Sequence, residues 1–202
     1  MRNVRLDFSG MQPFESAVIS GLVAGVDAVA QLVAGEMKRG FSRTARYQSS
    51  APGSPPGVQT GRLRNSVAVK SSGVLRRQVG TNVPYGRIHE FGGTITAKNG
   101  SLLVPIGPKG RQALRDSGGN VRSLNLFMIK RKGRPPILAQ GFSRLKGPGK
   151  GSVTPLFVLL KSVTLPPRPW VMPAFARSRP RLAKTFETYA RRRIAERLGV
   201  RK

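Results

Sequence analysis

Residues 12–39, QPFESAVISGLVAGVDAVAQLVAGEMKR, decide the fold class. Phe14, Val18, Leu22, Val26, Val29, Val33 and Met37 recur at three- and four-residue steps, which places them on one face of a helix. Ser9 or Gln12 stands near its start, and Pro13 suits the first turn, where a missing N–H leaves no bond unmade. Ser20, Asp27 and Gln31 interrupt the most apolar part, residues 17–34, so the pattern reads as an amphipathic helix rather than a membrane span. Gly21, Gly25 and Gly35 weaken the helix intrinsically, so packing, expected here against a sheet, has to hold it. Small residues there also permit close backbone approach.

The opposite end of the chain mirrors this. Residues 173–198 predict a last helix with Pro173 at its first position. Phe175, Leu182, Phe186, Tyr189, Ile194 and Leu198 form its apolar stripe, and Pro180 is expected to interrupt its first turns or to mark where the regular helix starts. Between the helices, Val67–Val69 and Val74–Val79 read as strands around a Ser71-Ser72-Gly73 turn. LLVPI (102–106), LFMIK (126–130), PILAQ (136–140) and PLFVLLKSVTL (155–165) are apolar runs bounded by Gly and Pro, each a strand candidate. The order helix, antiparallel strands, helix is an α+β arrangement, expected as one domain over 1–202. The stretch 48–61 forms a Pro/Gly-rich arm, and Thr60 caps a short helix that points Leu63 inward and Arg62 and Arg64 outward. Residues 107–154 form a basic loop or insertion.

Charge narrows the function. Thirty-six Lys and Arg against eight Asp and Glu give a formal net charge of +28 on 202 residues. No acid lies between Glu36 and Glu90, nor between Asp116 and Glu187. A compact chain so charged repels itself and is expected beside something negative. Lys130, Arg131, Lys132, Arg134, Lys146 and Lys150 are the candidate contacts to DNA phosphates or to an acidic partner. Aromatic residues are only 6% of the chain, with no basic–aromatic ribbon, helix-turn-helix or zinc finger, so any DNA contact is expected to be sequence-independent.

Catalysis finds little support. The chain has one His and no Cys, and neither GxxxxGK[ST] nor GxGxxG occurs. His89-Glu90 is the one suggestive pair, and it lacks both a positioned nucleophile and a ligand set of metal-binding spacing. The expectation is therefore no catalytic site, no cofactor and no metal. On the structural reading His89 packs at an element end, and Glu90 pairs with Arg168 or Arg62 in bidentate fashion. Tyr85, Phe91 and Trp170 are expected as packing anchors.

Three landmarks then fall in order: PGSPPGVQTGRLRNS (52–66), GTNVPYGRIHEFGG (80–93) and PPRPWVMPAF (166–175), ahead of a terminal helix. In this the chain resembles the neck and tail-completion proteins of long-tailed bacteriophages. The resemblance implies a non-enzymatic α+β virion subunit at the head–tail junction or in the tail, assembled in the host cytoplasm. It further implies a homo-oligomeric ring, a hexamer by preference, among other neck and tail proteins and with no membrane partner. In that setting Thr60, Leu63, Tyr85, His89, Glu90, Phe91, Arg168 and Trp170 serve as structural or subunit-interface anchors, and the basic residues meet packaged duplex DNA or acidic partners. The rival reading is a free-standing, sequence-independent nucleic-acid-binding protein.

Overall fold

The computed structural model describes residues 11–41, 50–141 and 153–199. Its elements, in chain order, are α1 (Gln12–Gly40), α2 (Arg62–Asn65), β1 (Ala68–Gly73), β2 (Arg76–Gly80), α3 (Tyr85–Phe91), β3 (Gly93–Thr96), β4 (Leu102–Pro105), α4 (Gly107–Asp116), β5 (Phe127–Arg131), β6 (Arg134–Gln140), β7 (Thr154–Leu160), β8 (Ser162–Leu165) and α5 (Val171–Arg197). All strand pairings are antiparallel, and the architecture is α+β. The described residues group into two compact units, one of 11–41, 60–86 and 169–199 and one of 50–59, 87–141 and 153–168.

In the first unit α1 and α5 run antiparallel and pack along each other. The early Gly21 of α1 meets Ala190 and Ile194, Gly25 meets Phe186, and the late Glu36 meets Arg177 and Arg181. Small residues on one helix meet small or large residues on the other. A Cβ on Gly21 would lie 2.8 Å from the Ala190 carbonyl oxygen, and one on Gly25 would lie 2.6 Å from the Phe186 ring. Ala17, Ala30 and Ala34 of α1 and Ala174, Ser178 and Ala190 of α5 are buried. The expected large-residue stripes are used in part. Val33 and Met37 of α1 are buried and Phe186 and Ile194 of α5 close over the glycines, whereas Phe14, Phe175, Tyr189 and Leu198 are exposed. Gly21 and Gly25 thus face a helix, with the β1–β2 hairpin as the second neighbour of α1, rather than a sheet alone. Helix α1 is long and apolar enough to cross a membrane by length and composition; in this fold its seam is occupied by α5.

Pro180 lies inside α5 and does not end it. The proline is exposed, while Ser178 beside it is buried with its hydroxyl donated to the Ala174 carbonyl at 2.8 Å. Packing against α1 on both sides of the proline holds the turn that propensity alone would lose.

The second unit carries a four-stranded sheet in the order β4-β7-β6-β5 and a separate two-stranded pair, β3-β8. The apolar run 155–165 therefore divides between two sheets, with Lys161 at the break. Its carbonyl accepts the Ala97 N–H at 2.9 Å, and its Nζ donates to Gly100 O at 2.9 Å. Within 107–154, expected as a basic loop or insertion, the described residues contain α4 and the β5–β6 hairpin, whose strands fall on the candidates 126–130 and 136–140. Registers Leu103↔Leu159, Val104↔Val158, Leu138↔Phe157 and Ile129↔Ile137 place apolar side chains on both faces of the larger sheet. Of these strands, Ala139, Leu156 and Phe157 alone contribute buried hydrophobic side chains, although α4 lies against β4 and β7.

Candidate assembly surface

Two hairpins present side chains to the exterior. In the first unit, β1 and β2 meet at Val74 and Leu75, which are 68% and 51% exposed. The turn follows Gly73 rather than centring on Ser71-Ser72-Gly73 as the sequence suggests. Arg77 fixes it. Its Nη1 donates to the carbonyls of Gly73, Val74 and Arg76 at 2.9, 3.1 and 3.0 Å, while its Nε pairs with Asp27 on α1. An apolar tip is thus held in one conformation by a guanidinium anchored to the helix beneath it.

In the second unit, β5 and β6 meet at Lys132-Gly133, with Gly133 at φ 66°, a conformation glycine adopts without steric cost. This turn gathers Lys130, Arg131, Lys132 and Arg134, the cations expected to act together. Lys130, Lys132 and Arg134 are exposed. Arg131 is committed to its own hairpin, donating Nε and Nη2 to the Pro135 carbonyl at 3.0 and 2.6 Å. Lys146 and Lys150 lie outside the described residues.

The other sequence-predicted residues divide between the units. Thr60 is not the helix cap. Gly61, at φ 77°, occupies that position, and Thr60 Oγ1 accepts the Arg62 N–H at 3.3 Å. Leu63 is buried. Trp170 is buried too, its ring 5.2 Å from that of Phe41 and its Nε1 donating to Gly86 O at 3.3 Å. Tyr85 and Phe91, expected as packing anchors, stand at the surface, 38% and 72% exposed. Helical spacing turns Glu90 inward and carries the adjacent Phe91 outward.

In the second unit the PPRP segment ties down two strands of chain. The Arg168 backbone N–H donates to His89 O at 2.6 Å, and its Nε donates to Ser50 O at 3.0 Å. Gly53 N–H donates to Pro167 O at 2.9 Å. The base of the Pro-rich arm is therefore fastened within the chain rather than loose. Burial, and then the Arg168 charge, hold the His89 imidazole below its ordinary value. Gly92, at φ 70°, turns the chain from α3 into β3; a Cβ there would meet Leu165 O and Pro167 N at 2.9 Å.

Acidic surface is scarce. Of the eight acids, Asp7 lies outside the described residues. Asp27 pairs with Arg77, and Glu36 with Arg39 at 2.6 Å, with Arg181, and with Arg177 at 3.6 Å. Glu187 pairs with Arg191, and Glu196 with Arg192 and Arg193. Asp116 accepts a hydrogen bond from Gln112, Glu90 is buried, and Glu15 stands exposed on α1. The hydrogen bond from Arg39 holds the Glu36 carboxyl below its ordinary value; burial opposes this and Arg181 reinforces it.

No curated protein and no solved structure matches the chain significantly. A family does match part of it. The matched residues, 22–92, run from α1 through the arm and the apolar hairpin to the Gly92 turn, and so include the first landmark stretch and all but the last residue of the second. Over these residues the chain is similar to the family described as "Bacteriophage HK97-gp10, putative tail-component".

Proposed function

We propose that the chain is a non-enzymatic structural subunit of a bacteriophage virion, placed at the head–tail junction or in the upper tail and assembled as a closed homo-oligomeric ring, a hexamer, around the DNA path. The observation that carries this reading is the match of residues 22–92 to a tail-component family. The physical organisation supports it. A sheet apolar on both faces, with few of its side chains buried, gains stability by being covered from outside the chain. Identical subunits joined by unlike surfaces close a ring when the rotation between them allows it.

In this reading Val74 and Leu75 form a preset apolar prong for the neighbouring subunit, while Tyr85 and Phe91 act as interface rather than core aromatics. Glu90 and Arg168, with His89, fix the α3 region, and Thr60, Leu63 and Trp170 support the segment behind it. The partners are other copies of the chain and the adjoining neck and tail proteins. The double substitution Val74→Asp, Leu75→Asp tests the prong. Because both side chains are already largely in water, the variant is expected to keep the circular dichroism and melting temperature of the parent while losing its higher-order species in light scattering. An unchanged oligomer would remove the prong from the interface.

A further inference from the structure

We propose that the tip of the β5–β6 hairpin contacts the phosphate backbone of duplex DNA. Four cations occupy the five positions from Lys130 to Arg134, brought together by a turn whose Gly133 supplies the left-handed residue. Arg131 closes the turn on the Pro135 carbonyl, so the tip is shaped before anything binds. Lys130, Lys132 and Arg134 remain at the surface, and the sequence holds no acid between Asp116 and Glu187 to neutralise them locally.

A second copy of the chain is a poor occupant. Among the described residues its acids are buried or bonded to its own side chains, Glu15 excepted. The negative charge therefore comes from a different molecule. Duplex DNA fits better than an acidic protein face for two reasons. A net charge of +28 is balanced by a polyanion rather than by one local patch. The turn also offers mobile point charges without an aromatic or amide side chain that would read a defined surface, which suits sequence-independent phosphate contact. That the contacted DNA is the strand threading a ring rests on the reading above; the contact itself does not.

The test measures binding of the full chain to a random-sequence duplex by fluorescence anisotropy across a salt series. The parent is compared with Lys130→Ala, Lys132→Ala, Arg134→Ala and with a charge-matched control, Arg179→Ala, Lys184→Ala, Arg197→Ala, whose cations are exposed on α5. Each neutralised phosphate contributes about 0.9 to the log–log salt slope, so the hairpin variant is expected to lose up to about 2.7 of slope and about tenfold or more in affinity. The control is expected to stay near the parent. Circular dichroism confirms folding, and a Lys130→Gln, Lys132→Gln, Arg134→Gln variant repeats the measurement if the alanine variant misfolds. Equal losses in hairpin and control variants would overturn the proposal in favour of diffuse charge. So would unchanged DNA binding, including the case in which only binding to poly-glutamate is lost. Light scattering on the same samples separates the two readings, since a monomer that binds DNA through the hairpin removes the ring and leaves the contact standing.

Discussion

The helical unit and the sheet unit dispose their apolar residues differently. In the first, Gly and Ala of α1 receive Phe186, Ala190 and Ile194 of α5 along a seam, and Glu36 gathers three arginines at one end of it. In the second, four strands carry Leu, Val, Ile and Phe on both faces, and most of these side chains are half-buried rather than enclosed. The difference separates two kinds of apolar pattern. One is met along a seam within the chain; the other, like the exposed Val74-Leu75 tip of the helical unit, is surface that the proposed assembly would cover.

The largest effect that tests this contrast lies in the seam. Gly21→Val places methyl groups where the Ala190 carbonyl stands 2.8 Å from the Cβ position. Overpacking there is expected to lower unfolding free energy by about 1–3 kcal/mol, which urea denaturation would read. A neutral or stabilised variant would show that the helices are free to separate. Glu36→Gln comes next. Its arginine partners are about half in water, so screening limits the loss to about 1 kcal/mol. Because the folded carboxyl titrates below its ordinary value of 4.5, its contribution is complete above that pH and disappears as pH falls through the folded value. The Gln variant is therefore expected to show a shallower acid-side decline in melting temperature, and an identical decline would mean the cluster is not formed. The smallest effect belongs to the sheet. Met128, 52% exposed on β5, is expected to cost less than about 0.5 kcal/mol as Met128→Ser in the free chain. A fall in oligomer stability under dilution beyond that cost would mark the sheet face as covered in the assembly.

Much of the helical unit is legible in the sequence. The spacing from Phe14 to Met37 predicts residues 12–39 as a helix, and α1 runs from Gln12 to Gly40. The seam is legible only in part: Gly21 and Gly25 mark where a backbone can approach, but nothing in their spacing names α5 rather than a sheet as the neighbour, and Ala174 carries almost no periodic signal. Pro180 likewise reads as a break, since propensity is local and the packing that overrides it comes from residues some 150 positions away in the chain. The Arg77–Asp27 tie that sets the apolar prong is invisible for the same reason. The basic tip is the contrary case. Lys130 to Arg134 around Gly133 is a short-range arrangement, and a short-range reading finds it. Phe91 shows where such reading ends, because an aromatic beside two glycines looks the same whether the helix turns it inward or out.

The central claim is that this chain assembles into a closed ring of identical subunits. Particle imaging of the purified full chain at micromolar concentration, with mass measured by light scattering on the same sample, tests it most directly. The account predicts annular particles of uniform diameter with a mass near six copies of 21.9 kDa. A uniform species of one copy's mass, unchanged by concentration or by added DNA, would contradict it.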